Sequence, residues 1–250
     1  MKQAACVALA TREVVRFFRQ RSRVMGALLT PVIFWIFLGY GFGNSFQTSG
    51  FGQGYQGYFF PGVLLLVLMF SSIFSMISLI EDRKEGFLQS VAVSPVSSGA
   101  IVGGKVLGTV IISTIQLVLV AFLAPLAGFD LSVLMIFKLV IFSVVISTNM
   151  ALFGFALAWR SRSVQGFHVL MNLILMPMWL LSGATFPMEG AAHWIVILMK
   201  LNPMTYANLL MQNPFYHREW IFPLTVVVST SVIFLIWSIF QMKYGRDIVR

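Results

Sequence analysis

The chain has 250 residues, 58% hydrophobic and only 10% charged, with a mean hydropathy of +0.89. Soluble domains carry about 25% charged residues, so this composition excludes one and dictates an integral membrane protein. A single cysteine, Cys6, excludes an internal disulfide framework and a cysteine-based metal cluster, and the formal net charge of +9 leaves open whether the basic residues bind nucleic acid or set orientation.

Residues 1–23 form the first expected element. At 100° per residue, Arg12, Arg16, Arg19 and Arg23 share one helical face, and Val7, Ala10, Val14, Phe17 and Phe18 share the opposite one. That pattern predicts a helix lying along the membrane interface, apolar side down, with its arginines at anionic lipid headgroups. The long basic segment, the span-length run that follows and the lack of an A-x-A site argue against a signal peptide.

A membrane crossing needs about 20 apolar residues. Six runs qualify, at 26–43, 59–80, 106–125, 133–158, 167–185 and 221–242. The expected fold is therefore all-α, with six transmembrane helices in one domain covering 1–250. Gly39 and Gly43 in the first run, and Gly104 and Gly108 at the start of the third, have the G-x-x-x-G spacing that permits close helix approach. The loop 44–57 is polar, uncharged and glycine-rich, as a flexible connection requires.

Between the second and third runs stand five consecutive charged residues, Glu81, Asp82, Arg83, Lys84 and Glu85. Gly86, Phe87, Leu88 and Val91 follow, then Ser94 and the helix-stopping Pro95. A short helix over 86–95, apolar on one side and charged at its entry, suits a surface that presses into a soluble partner. Later, residues 191–212 are apolar but broken by Lys200 and Asn202-Pro203, which predicts two short helices forming a re-entrant hairpin over 186–215 on the outer face.

With the N-terminus placed inside, the inner segments hold fourteen of the seventeen basic residues, all but Lys138, Lys200 and Arg218. The positive-inside rule then puts both termini in the cytoplasm. The basicity is topology, and no nucleic-acid partner is expected.

The eight acids all fall outside the apolar runs. An ionisable group at the bilayer centre costs roughly 2.5–3.5 kcal/mol on insertion scales, and an ion-coupled carrier would keep one there. No catalytic or metal-binding set is expected either: His168, His193 and His217 lack metal-ligand spacing, and Leu180 stands where a G-x-S-G turn around Ser182 needs glycine. Gly99 to Val106 nearly matches a phosphate-binding loop, but Val106 replaces the magnesium-binding hydroxyl and the segment enters a membrane span. Two alternatives remain open, a membrane-embedded enzyme using Ser182 or His168, and an ion-coupled carrier.

The stretch EGFLQSVAVSPVSSGAIVGGK resembles the cytoplasmic segment of the ABC-2 type permeases, the membrane subunits of ABC exporters. The match falls on Glu85, Gly86, Leu88, Val91, Ser94, Pro95, Gly104 and Lys105, with Phe87 in place of the usual threonine. LSGATFP (181–187) with LNPMTY (201–206) resembles the outer hairpin of drug-resistance and nodulation-factor permeases. The resemblance implies an export subunit in a bacterial inner membrane, paired with a second permease copy and driven by two cytoplasmic ATPase subunits that bind ATP and Mg. The chain itself holds no cofactor. Residues 1–23 would be an interface helix, 81–95 with Lys105 the coupling region, and Pro187, Asn202, Pro203 and Tyr206 part of an outer gate. Spans two and five would line the substrate path through Phe70, Phe74, Met171, Leu175 and Met178. The implied cargo is an amphipathic drug, a lipid-linked molecule or a polysaccharide.

Overall fold

Ser97, Ser132 and Ser163 each stand in extended backbone before a helix, and each side chain accepts a bond from the N–H three residues on. These caps satisfy donors that a helix start leaves open, and they set the starts of the third, fourth and fifth long helices. The computed structural model describes residues 2–43, 54–87 and 97–244, and within them it is helical with no strand. The helices are α1 (Lys2–Arg19), α2 (Arg21–Gly41), α3 (Gly54–Lys84), α4 (Ser98–Ala121), α5 (Val133–Arg160), α6 (Val164–Trp179), α7 (His193–Leu201), α8 (Pro203–Tyr216) and α9 (Ile221–Tyr244).

Six of these helices, α2 to α6 and α9, are long and apolar enough to cross a membrane, α6 counted with the π turn Leu180–Ala184 that continues it. They coincide with the six expected runs, but the ends differ. Helix α3 continues through the charged residues to Lys84, and α4 begins at Ser98, well before the hydropathy run at 106. Hydropathy stops at charge, whereas a helix continues wherever the charges find partners. The expected single helix over 1–23 is divided at Gln20, so Arg23 belongs to α2.

Helix α3 occupies the centre, with almost every residue from Tyr55 to Ile80 buried against α2, α4, α5, α6 or α8. Helix α9 leans on α5, where Asn149 Nδ2 donates to Val227 O at 3.1 Å, Thr230 Oγ1 at 2.8 Å and Ser231 Oγ at 3.0 Å. The two short helices α7 and α8 meet at Asn202, which accepts from Met204 N and donates to Met178 O. With 9 and 14 residues, they are roughly 13 and 21 Å long, short of the bilayer core.

The Gly104-x-x-x-Gly108 pair is the seat of α1. A Cβ at Gly104 would lie 2.7 Å from Leu9 Cβ and 2.9 Å from Cys6 O, and one at Gly108 would lie 2.8 Å from Glu13 Cβ. Only glycine lets the two backbones approach this closely.

Candidate coupling site

Helix α1 presents Leu9, Ala10, Glu13 and Phe17 to the bundle, all buried. Three of these, Leu9, Glu13 and Phe17, recur every fourth residue, so an acid sits in the middle of an apolar stripe. Its partner is Lys105, about two turns beyond the Ser97 cap in α4: Lys105 Nζ donates to Glu13 Oε1 at 2.7 Å, to Asp82 Oδ2 at 2.5 Å and to Ser78 Oγ at 3.0 Å. Lys105, Glu13 and Asp82 are 1%, 2% and 0% exposed. Charges taken this far from water persist only when paired and hydrogen-bonded.

Around this core the arginines complete a neutral set. Arg12 grips Asp82 with both terminal nitrogens, at 2.8 and 3.0 Å. Arg16 donates to Asp82 at 2.5 Å, Glu81 at 2.9 Å and Glu85 at 3.4 Å, and Arg23 pairs with Glu81. Four acids, Glu13, Glu81, Asp82 and Glu85, thus face four bases, Arg12, Arg16, Arg23 and Lys105. The hydrogen bond to Asp82 holds the Arg12 pKa above its ordinary value. Arg12 also lies over the Phe87 ring, 3.9 Å from its centroid, a cation–π contact.

The arrangement corrects three expectations. Arg12, Arg16 and Arg23 turn inward to acids of α3 instead of reaching lipid headgroups, because those acids offer fixed partners; Arg19 stays exposed. Glu81, Asp82 and Lys105 are engaged inside the chain and leave Lys84, Glu85, Gly86 and Phe87 as the accessible or half-buried part of the expected coupling region. And Glu81 and Asp82, expected in a loop, lie in the last turn of α3; they stand at its end, and the apolar run 59–80 before them holds no acid.

Two further residues organise this end. Arg83 donates to the carbonyls of Ala158, Trp159 and Ser161, closing the C-terminus of α5. Gly86, at φ +75°, ends α3, with its N–H on Arg83 O; a left-handed residue here is the usual helix stop and favours glycine. Leu88, Val91, Ser94 and Pro95 lie outside the described residues. Away from the cluster a polar seam runs between α3 and α4, with Ser75 Oγ 2.9 Å from Thr109 Oγ1 and Ser71 bonded to Gln116.

The other expected sites are placed as follows. Phe70, Met171 and Leu175 are buried where α3 meets α6, and Phe74 stacks edge-on to His168. The recess between these helices holds about 10 Å³, and α3 itself is nearly enclosed by its own chain, so span two offers a partner or cargo little surface. Met178 is half-buried, its carbonyl bonded by Asn202. Pro203 opens α8, Tyr206 donates to Lys200 O and meets the Phe222 ring, and Pro187 lines a cavity beside Gly183. Ser182 is 1% exposed, and its hydroxyl donates to Trp179 O at 2.6 Å, an i−3 bond within the turn.

Sequence reasoning missed Glu13 and Ser78 as members of the cluster. The acid at every-fourth spacing between Leu9 and Phe17 was the available signal.

Comparison with known proteins agrees with this architecture. The profile of the ABC-2 type transporter family matches residues 4–216. A putative transport permease, ycf38 of Cyanophora paradoxa, is 25% identical over 248 residues, covering 96% of this chain and 81% of the relative. The daunorubicin resistance ABC transporter permease protein DrrB1 of Streptomyces coeruleorubidus is 24% identical, covering 78% of this chain and 69% of its own length. The probable multidrug ABC transporter permease YbhR of Escherichia coli K12 is 24% identical over 71% of this chain and 50% of its own length. With its six span-length helices, the chain belongs to the ABC-2 type transporter family, as a multi-pass membrane subunit of an ABC transporter.

Proposed function

We propose that the chain is the permease subunit of an ATP-driven exporter and that the paired-charge cluster passes the motion of a cytoplasmic ATPase to the bundle. The carrying observation is the junction of Arg12, Phe87 and Asp82, which fastens α1 and the start of the 86–95 segment to the same turn of α3. Anything that displaces this segment displaces α1 and α3 together. The basic residues gathered at this end support a cytoplasmic orientation for it and for both termini, in a bacterial inner membrane. Arg19 and the exposed Val7, Val15 and Phe18 of α1 suit a helix that also touches the membrane interface.

Two such subunits with two ATPase copies, which supply the ATP and Mg sites, complete the transporter in this reading. Names of relatives that mention daunorubicin resistance and multidrug transport favour an amphipathic cargo, with lipid-linked and polysaccharide cargo as further classes. The reading is tested by co-expression with a separate ABC ATPase and reconstitution in lipid nanodiscs. Phe87→Ala is expected to lower permease-stimulated ATP hydrolysis severalfold, and Glu85→Lys to weaken co-purification. Uphill transport by the isolated chain in liposomes, without nucleotide, would overturn the proposal.

A further inference from the structure

Leading away from the charge cluster, two rows of polar side chains face each other inside the bundle. On α3 the row is Asp82, Ser78, Ser75 and Ser71, and on α4 it is Lys105, Thr109, Ser113 and Gln116, each stepping by three or four residues so that it keeps to one helical face. All of them are 3% exposed or less. Rungs join the rows: Lys105 Nζ donates to Ser78 Oγ at 3.0 Å, Ser75 Oγ lies 2.9 Å from Thr109 Oγ1, and Ser71 Oγ donates to Gln116 Oε1. From Asp82 to Ser71 the ladder climbs roughly 16 Å, about half of a hydrocarbon core of about 30 Å. Beyond Ser71 the same face of α3 continues with Leu68 and Leu64, both buried, so the row ends blind near the bilayer middle.

The blind end is where pairing fails. Gln116 Nε2, Ser72 Oγ and Ser147 Oγ have no hydrogen-bond partner among the described residues, and all three residues are 0% exposed. Ser147 lies one turn from Ser143, whose hydroxyl meets Thr114 Oγ1 at 3.0 Å, two residues before Gln116, so α5 adds its orphaned atom near the same depth. Orphaned polar groups are costly where no water reaches them. Water admitted from the cluster end would satisfy them, since a buried water makes about three hydrogen bonds. What closes that end is α1: Glu13 accepts from Lys105 and Ser78 at the lowest rung, and the helix that carries it sits on Gly104 and Gly108. We propose that α1 is a removable seal on a polar half-channel within one subunit, and that lifting it from its glycine seat lets water rise between α3 and α4 as far as Ser71 and Gln116. The inference goes beyond the exporter reading and needs neither an ATPase nor a cargo.

The test uses the full chain in lipid nanodiscs with no ATPase, so its failure and failure of the exporter reading are separate results. Ser75→Cys, Ser71→Cys and Leu64→Cys are made one at a time on a Cys6→Ser background. Each is treated with silver ion, a small thiol reagent confined to water, and the thiols left unreacted are counted with a maleimide after unfolding in SDS. With α1 seated, all three thiols should be protected. Gly104→Leu, which unseats α1, should speed the reaction of Ser75→Cys and Ser71→Cys roughly tenfold or more. Gly108→Ala, a smaller wedge on the same seat, should give an intermediate rate, and Leu64→Cys should stay protected throughout. Fast reaction of Ser71→Cys with α1 seated would show that α1 seals nothing. Continued protection of Ser71→Cys in both wedge variants would reduce the ladder to a packing seam, and equal acceleration at Leu64→Cys would mean that the whole bundle had loosened; each of these results overturns the proposal.

Discussion

Lys105 Nζ lies 2.7 Å from Glu13 Oε1, a bond that joins α4 to the middle of α1 across 92 residues of sequence. Removing one partner of a buried ion pair costs about 3–5 kcal/mol, because the other charge is left uncompensated. Lys105→Met should therefore destabilise the detergent-solubilised protein by about that amount, read as its unfolding midpoint. Adding Glu13→Gln should recover part of the loss, since Asp82 keeps Arg12 and Arg16. Equal midpoints for Lys105→Met and the parent would show that the cluster contributes nothing to stability.

The glycine seat predicts where α1 goes when it is blocked. A leucine at Gly104 would collide with Leu9 and the Cys6 carbonyl, and neither backbone can yield without moving the helix. Cys6 is the only cysteine in the chain and is half-buried. Gly104→Leu should raise the rate of maleimide labelling at Cys6 severalfold, and an unchanged rate would mean that α1 stays docked by other contacts.

Asn149 ties the outlying α9 to α5 through three acceptors. Side-chain hydrogen bonds between membrane helices average about 0.6 kcal/mol, with a maximum near 1.7. Asn149→Leu should cost an amount in that range, well below the Lys105 variant. A larger loss would show that the site does more than hold two helices together.

Gly86→Ala forces a side chain onto a left-handed backbone, at about 1–2 kcal/mol. The expected result is a small fall in the unfolding midpoint together with a larger fall in ATPase stimulation, because the residues beyond Gly86 would leave α3 in a new direction. A fall in stability with full stimulation would confine the residue to a structural role.

The six crossings were legible because each is an uninterrupted apolar run of about 20 residues, a signal that needs no knowledge of neighbours. Their ends were not, since Glu81 to Lys84 and Ser98 to Lys105 look like loop by hydropathy and are helix by partnership. The helical period of residues 1–23 was readable, but the direction of its arginines was not: Arg12 and Asp82 meet across 70 residues, and spacing within one segment carries no information about such a pairing. The close-approach spacing of Gly104 and Gly108 was visible, while the identity of the helix that uses it had to come from the fold. Likewise, the Asn202-Pro203 break between α7 and α8 was plain, and the bond from Asn202 to Met178 O that anchors it, across 24 residues, could be found only in the fold.

Arg83 reaches from the last turn of α3 to three carbonyls at the foot of α5. The two helices are thereby braced into a single strut at the end where Phe87 emerges. A push delivered there would be loaded onto the innermost column of the protein and its neighbour at once, leaving α9, held to that neighbour by Asn149, to follow as a passenger.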